Sequence, residues 1–324
     1  MGNTYIPPLS WLLFDRYAEL KFVISETETL ILKKSDIDFD AQVSLDDTNN
    51  SNKATINIYN LPVEQKDKLV KDTVVTIIAG YNDGPDSVKD QGIVFTGIIE
   101  KIKDTKEDVT VKTEIQCSEA NDTYQDIEFE ITASKGTAIS TIIEKILNKI
   151  NNTSKITKLS KGVIKLGSDI KYERAKTFKS NLKNILGRLA IDSRSRFYIS
   201  KQILYFYPES EAIKDTIYCE NSKIISISDT DMGYSIKMFF DHRMEEGNAI
   251  ILDIKKTRFF DEISQNVDSY KITSVEHSIN PINGDHTTTI EIESASRAKI
   301  KEEKEKQQEK DRKNGKDKTL KLKI

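Results

Sequence analysis

The sequence predicts an α+β protein, mainly β: two similar β-barrels in tandem, a small α+β unit inserted between them, and a charged C-terminal tail. Three observations predict it. Six strand-like segments crowd into the first 120 residues, the hydrophobic period then lengthens from 2 to 3.6, and a second set of strands follows that can be laid on the first. The expected organisation is an N-terminal arm (1–18), a first barrel (19–125), the α+β insert (126–222), a second barrel (223–296) and the tail (297–324).

In the first barrel, strands are expected at 19–25, 36–44, 52–60, 73–80, 92–103 and 108–119. The alternation is cleanest in "DIDFDAQVS", where Ile37, Phe39, Ala41 and Val43 face one way and Asp36, Asp38, Asp40 and Gln42 the other. "DVTVKTEIQCS" alternates likewise through Val109, Val111, Thr113, Ile115 and Cys117. Between the strands "ATINIY" and "VVTIIA" lies a proline-started polar stretch, Pro62 to Lys71, too long for a hairpin turn. It reads as a helical crossover that spans an open barrel end and plugs it with Leu61 and Leu69, with Val63 and Val70 also turned inward.

In the insert, Ile139, Ile142, Ile143, Ile146, Leu147 and Ile150 form one helical stripe. Leu182, Ile185, Leu186, Leu189 and Ala190 form another, with Ser180 as the expected cap. An aromatic hairpin follows, carrying Phe197, Tyr198, Tyr205, Phe206 and Tyr207. It could be a binding platform, but such hairpins more often pack under a helix.

The second barrel is expected to use strands 224–229, 233–240, 248–254, 268–279 and 286–294. An offset of 175 places Val74 on Ala249, Val75 on Ile250, Ile77 on Leu252, Thr113 on Thr288, Ile115 on Ile290 and Cys117 on Ile292.

Charge is divided unevenly. The 324 residues carry a net −3, but 297–324 holds 12 Lys/Arg and 6 Asp/Glu, hence +6, leaving −3 − 6 = −9 on residues 1–296. An acidic body argues against nucleic acid as its partner. The longest apolar run near the start, Trp11 to Phe14, is too short to span a bilayer or serve as a secretory leader. Two cysteines make no disulfide framework, and Cys117 reads as a core residue.

No catalytic constellation appears, so the expectation is a protein that is not an enzyme, with no cofactor and no metal. His277 and His286 flank a loop containing Asp285, a set that could bind zinc, but the spacing matches no ligand pattern. Asp36, Asp38 and Asp40 fall along one strand face instead of around a calcium ion, and the acidic loop 81–92 reads as a hairpin connection. In the tail, Leu320, Leu322 and Ile324 alternate with lysines like a short strand with no partner of its own. They are the candidate partner-binding residues, suited to strand addition on another subunit's sheet edge. The competing reading is a disordered tail.

"IDFDAQVSLDDTNNSNKATINIYNLP", "TVVTIIAGY", "IVFTGIIEKI", the helix-plus-hairpin "SNLKNILGRLAIDSRSRFYI", and "GYSIKMFFDHRMEEGNAIILD" with "YKITSVEHSINPINGDHTTTIEIES" resemble the baseplate hub proteins of phage tails and contractile injection systems, in the late-control protein D group. The resemblance spans about 20–295 and omits the tail. It implies a virion protein of the tail baseplate, assembled in the host cytoplasm. It implies a homotrimer whose six barrels form a pseudo-six-fold ring between a hexameric tail tube and a trimeric spike. Tail tube, spike and other baseplate proteins are the implied partners, with tape-measure protein or DNA in the lumen and no membrane insertion. The alternative is a wall-binding or wall-degrading tail protein.

Overall fold

The computed structural model describes residues 15–294, apart from 47–50, 83–89, 120–127, 154–158, 209–210, 212–214, 220–222, 231–232 and 253–269. In chain order the strands of the first half are β1 (Arg16–Val23), β2 (Thr29–Lys33), β3 (Phe39–Asp46), β4 (Lys53–Tyr59), β5 (Val74–Tyr81), β6 (Asp90–Glu107) and β7 (Thr110–Ser118), with helix α1 (Val63–Lys66) between β4 and β5. The insert holds β8 (Glu128–Ala133), α2 (Ile139–Thr153), β9 (Ser160–Ile164), β10 (Lys176–Asn181), α3 (Leu182–Asp192), β11 (Arg196–Ser200) and β12 (Ile203–Tyr207). The second half holds β13 (Thr216–Cys219), β14 (Ile224–Asp229), β15 (Gly233–Phe239), β16 (Ala249–Leu252), β17 (Tyr270–Ile279) and β18 (Thr287–Ser294).

Both halves belong to one 13-stranded sheet, running β14-β15-β18-β17-β3-β4-β7-β6-β5-β1-β2, with β16 beside β17 and β13 beside β16. Alternation sets the buried face. Phe39, Ala41, Val43 and Leu45 are buried on β3, as are Ala54, Ile56 and Ile58 on β4. One hydrophobic core runs through both halves, from Leu20 and Ile77 to Ile236 and Ile290. The strand β13 lies on the insert side of the boundary expected at 222/223, yet it pairs in parallel with β16 of the second half.

The duplication holds at the level of hydrogen bonds. The order β5-β6-β7-β4-β3 in the first half is the order β16-β17-β18-β15-β14 in the second. β6 bulges where Ile99 faces Cys117 and Lys101 faces Gln116, so that Glu100 is the extra residue. β17 bulges where Ile272 faces Ile292 and Ser274 faces Glu291, with Thr273 extra. The bulges are equivalent: 292 − 117 = 175 on one strand and 272 − 99 = 173 on the other, the two-residue change being taken up by a longer β17–β18 loop. Ahead of each bulge the same two main-chain bonds recur. Ile99 N donates to Thr73 O and Asp72 N to Ile99 O; Ile272 N donates to Asn248 O and Gly247 N to Ile272 O. Asp72 and Gly247 both take positive φ, 68° and 82°.

The crossover plugs its end of the sheet with Leu61 and Leu69, which are buried. Val63 and Val70 differ from expectation: they are 71% and 59% exposed, the helical turn Val63–Lys66 burying none of its residues while Leu61 and Leu69 on either side of it take the inward positions. Pro62 caps the turn instead of starting it.

The insert has its own core. Ile139, Ile142, Ile143, Ile146 and Leu147 of α2 pack with Leu182, Ile185, Leu186 and Leu189 of α3. The cap of α3 is Asn181, whose side chain accepts from Asn184 N; Ser180 instead lies in β10 and bonds the Asn184 side chain. The β11–β12 hairpin turns through Lys201 and Gln202, both at positive φ. Phe197 and Phe206 stack under the helices with ring centroids 5.5 Å apart. Among the described residues, no helix is long and apolar enough to cross a membrane.

Candidate assembly surface

Leu320, Leu322 and Ile324 lie outside the described residues. The other candidates are held in structural roles. His277 and His286 are both buried, and Phe240 packs against each, stacked on His286 at 4.4 Å. Asp285 points elsewhere, to Lys237 at 3.4 Å. Thr288 accepts from Asp241 N, and its hydroxyl also shares a hydrogen bond with His277 Nδ1 at 2.9 Å. His286 Nε2 donates to Gly80 O at 3.2 Å, tying the second half to the end of β5. Asp40 accepts from Asn57 and Tyr59, a cross-strand network on the outer face.

Burial lowers the pKa of both histidines, His277 to about 3 and His286 to about 4, with the main-chain bond of His286 to Gly80 partly offsetting it there. Each is neutral when folded and takes up its proton on unfolding. Their stability contribution is therefore complete above the unfolded pKa near 6.5 and is lost as pH falls toward the folded values. Relative to the parent, a His277→Asn/His286→Asn variant should regain a few kcal/mol between pH 6.5 and 4. Urea midpoints over that range test it; a constant gap between the two proteins would refute the assignment.

The hairpin of the insert is a joint, not an open platform. Tyr198 and Tyr207 are buried on its face opposite the helices. Tyr198 OH donates to Glu246 O at 3.4 Å, and Lys271 Nζ reaches Tyr207 OH at 3.1 Å while lying 4.2 Å from the ring centroid. Where the three units meet, Glu119 is 1% exposed and accepts from Lys201 N at 3.0 Å and Asn52 Nδ2 at 3.1 Å. Lys201 Nζ donates to Ile93 O and pairs with Glu245. Burial, and then the nearby Glu246 carboxylate, push the Glu119 pKa up to about 8, so it is protonated at neutral pH. A cavity of about 1070 Å³ opens beside this joint, lined by Ile93, Lys201, Tyr205, Tyr218 and Arg243 among others. The sequence reading passed over Glu119 and Lys201.

The sheet leaves edges open. Among the described residues, β2 pairs only with β1, β13 only with β16, and β14 only with β15. β6 pairs with β5 from Asp90 to Ile98 and with β7 from Ile98 onward; from Lys101 to Glu107 it pairs with β7 alone. An open strand edge is a template for another strand, which proteins either block or use. The open stretches of β6 and β14 are "KIKDTKE" and "IISISD", whose residues are exposed or half-buried.

No protein-family model matches the chain, and no curated protein sequence matches it. Solved structures do. The 43 kDa tail protein of prophage MuSo2 from Shewanella oneidensis is similar over 87% of this chain and 98% of its own, at 8% identity and a TM-score of 0.60. A tail protein from Neisseria meningitidis MC58 matches over 87% and 97%, at 9% identity and 0.59. An Escherichia coli type VI secretion system component, described as structurally similar to the T4 bacteriophage tail proteins gp27 and gp5, matches over 85% and 76%, at 10% identity and 0.55. At such identities the likeness is one of fold, and it extends over nearly the whole length of the two tail proteins.

Proposed function

We propose that the chain is a structural hub of a phage tail or tail-like particle, a trimeric ring that joins a six-fold tail tube to a three-fold spike. The observation that carries this reading is the duplication: two halves with one strand order, equivalent bulges and equivalent main-chain bonds. A chain with two equivalent stations supplies six from three copies, which reconciles the two symmetries within one sequence. The shared fold with prophage tail proteins supports the setting, in the baseplate of a virion assembled in the host cytoplasm. The role is mechanical and not enzymatic. Tail tube, spike and neighbouring baseplate proteins are its partners, and the −9 of residues 1–296 suits a lumen that lets tape-measure protein or DNA pass without adhesion. Leu320, Leu322 and Ile324 act as a tether, adding a strand to the spike or the component beside it.

Sedimentation across a concentration series, with electron microscopy of the heaviest species, tests the ring. A closed particle of three copies with six peripheral lobes is expected, unchanged when 316–324 is deleted. A monomer at every concentration would remove the proposal.

A further inference from the structure

The two halves of one chain are joined by β3 on β17, and the duplication shows where that joint must recur. Asp46 to Ala41 of β3 run antiparallel to Ser274 to Ile279 of β17. The repeat of β17 is β6, at 173 residues less, and the repeat of Ser274–Ile279 is Lys101–Lys106. The repeat of β3 is β14. Ala41 faces Ile56 on β4, which faces Ile115 on β7. Ile227 faces Ile236 on β15, which faces Ile290 on β18, so Ala41 corresponds to Ile227.

Among the described residues, both repeats are unpaired on the edge in question. The contrast in burial follows. Val275 is fully buried at the β3–β17 joint, whereas its counterpart Ile102 is half-buried; Ala41 is buried, whereas Ile227 is half-buried. We infer that Ile227–Asp229 of β14 in one copy pair antiparallel with Asp104–Lys106 of β6 in the next copy, repeating between chains the joint that β3 and β17 make within one. This rests on the ring reading above and specifies its interface and register.

The transferred register places Thr105 opposite Ser228 (from Ser278 and Gln42) and Lys106 opposite Ile227 (from Ile279 and Ala41). Asp104 falls opposite Asp229, and the ammonium of Lys66, which pairs with Asp104, lies beside them to offset that repulsion. The crossover carrying Lys66 does not obstruct the site. In the second half the equivalent crossover carries the buried Met244, while β3 still docks on β17. The contact is head-to-tail, because β14 and β6 are different surfaces, so it propagates from copy to copy and closes only as a ring.

Directly opposed residues of antiparallel strands bring their Cα atoms to about 5 Å, within disulfide reach, whereas a shift of two residues exceeds it. The full-length chain bearing Thr105→Cys and Ser228→Cys is therefore oxidised under assembly conditions, with its mass followed in parallel by sedimentation. Cys117 and Cys219 are buried, and the parent chain reports their background. The expected result is a covalent ladder ending at the ring's copy number, at least tenfold stronger than in either single variant or in the shifted pair Thr105→Cys/Ser226→Cys. A ring that forms without this cross-link, or that cross-links equally in the shifted pair, overturns the β14–β6 interface and leaves the ring standing. A chain that sediments as a monomer and gives no ladder overturns both.

Discussion

Replacing Glu119 with glutamine is expected to stabilise the protein at pH 8 by about 3 kcal/mol and to leave it nearly unchanged at pH 5. The folded pKa is about 8, raised from 4.5 by burial and then by Glu246. A carboxyl raised in the folded state contributes fully below the unfolded pKa, and that contribution is lost as pH climbs from about 4.5 through about 8. One pKa unit corresponds to about 1.4 kcal/mol, so a shift of this size is worth several kcal/mol at its upper bound. Glutamine has the same shape and no charge to bury. Its amide oxygen can still accept from Lys201 N and Asn52 Nδ2. Urea unfolding of parent and variant from pH 5 to 8.5 measures the difference. Parallel curves would mean that Glu119 does not titrate in this window.

Deleting Thr273 should cost about 5 kcal/mol, whereas Thr273→Ala should cost less than about 1 kcal/mol. Thr273 is the extra residue of the β17 bulge. Without it, every residue from Ser274 onward turns to the opposite face of the sheet. Val275 and Ile279, at 0% and 1% exposure, would leave the core, along with His277. Burying each of the two aliphatic side chains is worth about 2 kcal/mol, and the displaced imidazole loses its Thr288 partner as well. The alanine variant keeps the residue count and loses only the hydroxyl bond to Glu291 O. Deleting Glu100, the equivalent residue of β6, should cost less, because beyond that bulge only Ile102 is half-buried and the rest are exposed. Thermal or denaturant unfolding of the three variants decides this. Equal losses for the deletions, or a large loss for the alanine variant, would show that the bulges do not set the register.

Much of this architecture could be read from the chain because period-2 burial leaves a direct trace. Phe39 to Leu45, Ala54 to Ile58 and the α2 stripe fall where their alternation or helical spacing puts them. Short, largely exposed strands left no such trace: β9 buries none of its side chains fully, and β2 buries only Leu32. Val63 and Val70 misled because hydrophobicity alone does not state which apolar residues of a short crossover reach the core, and here Leu61 and Leu69 do. The hairpin turn at Lys201–Gln202 carries no Asn-Gly signal, since tertiary contacts of Lys201 with Glu119, Ile93 and Glu245 hold it there. Glu119 was legible in principle. It continues the inward alternation of Thr113, Ile115 and Cys117, and a charged residue in such a row is a buried one that needs partners.

The threonine at the same place in each half separates geometry from chemistry. Thr113 donates to Asp104 at 3.0 Å, and its repeat Thr288 hydrogen-bonds His277 at 2.9 Å. The threonine and the backbone beneath it are common to both halves. Its partner is an anion paired with Lys66 in one half and a buried neutral ring in the other. A ligand that grips main chain therefore counts two like docking stations per chain, while one that senses charge counts a single station. The same chain can speak one stoichiometry to one neighbour and half of it to another, with no change of shape.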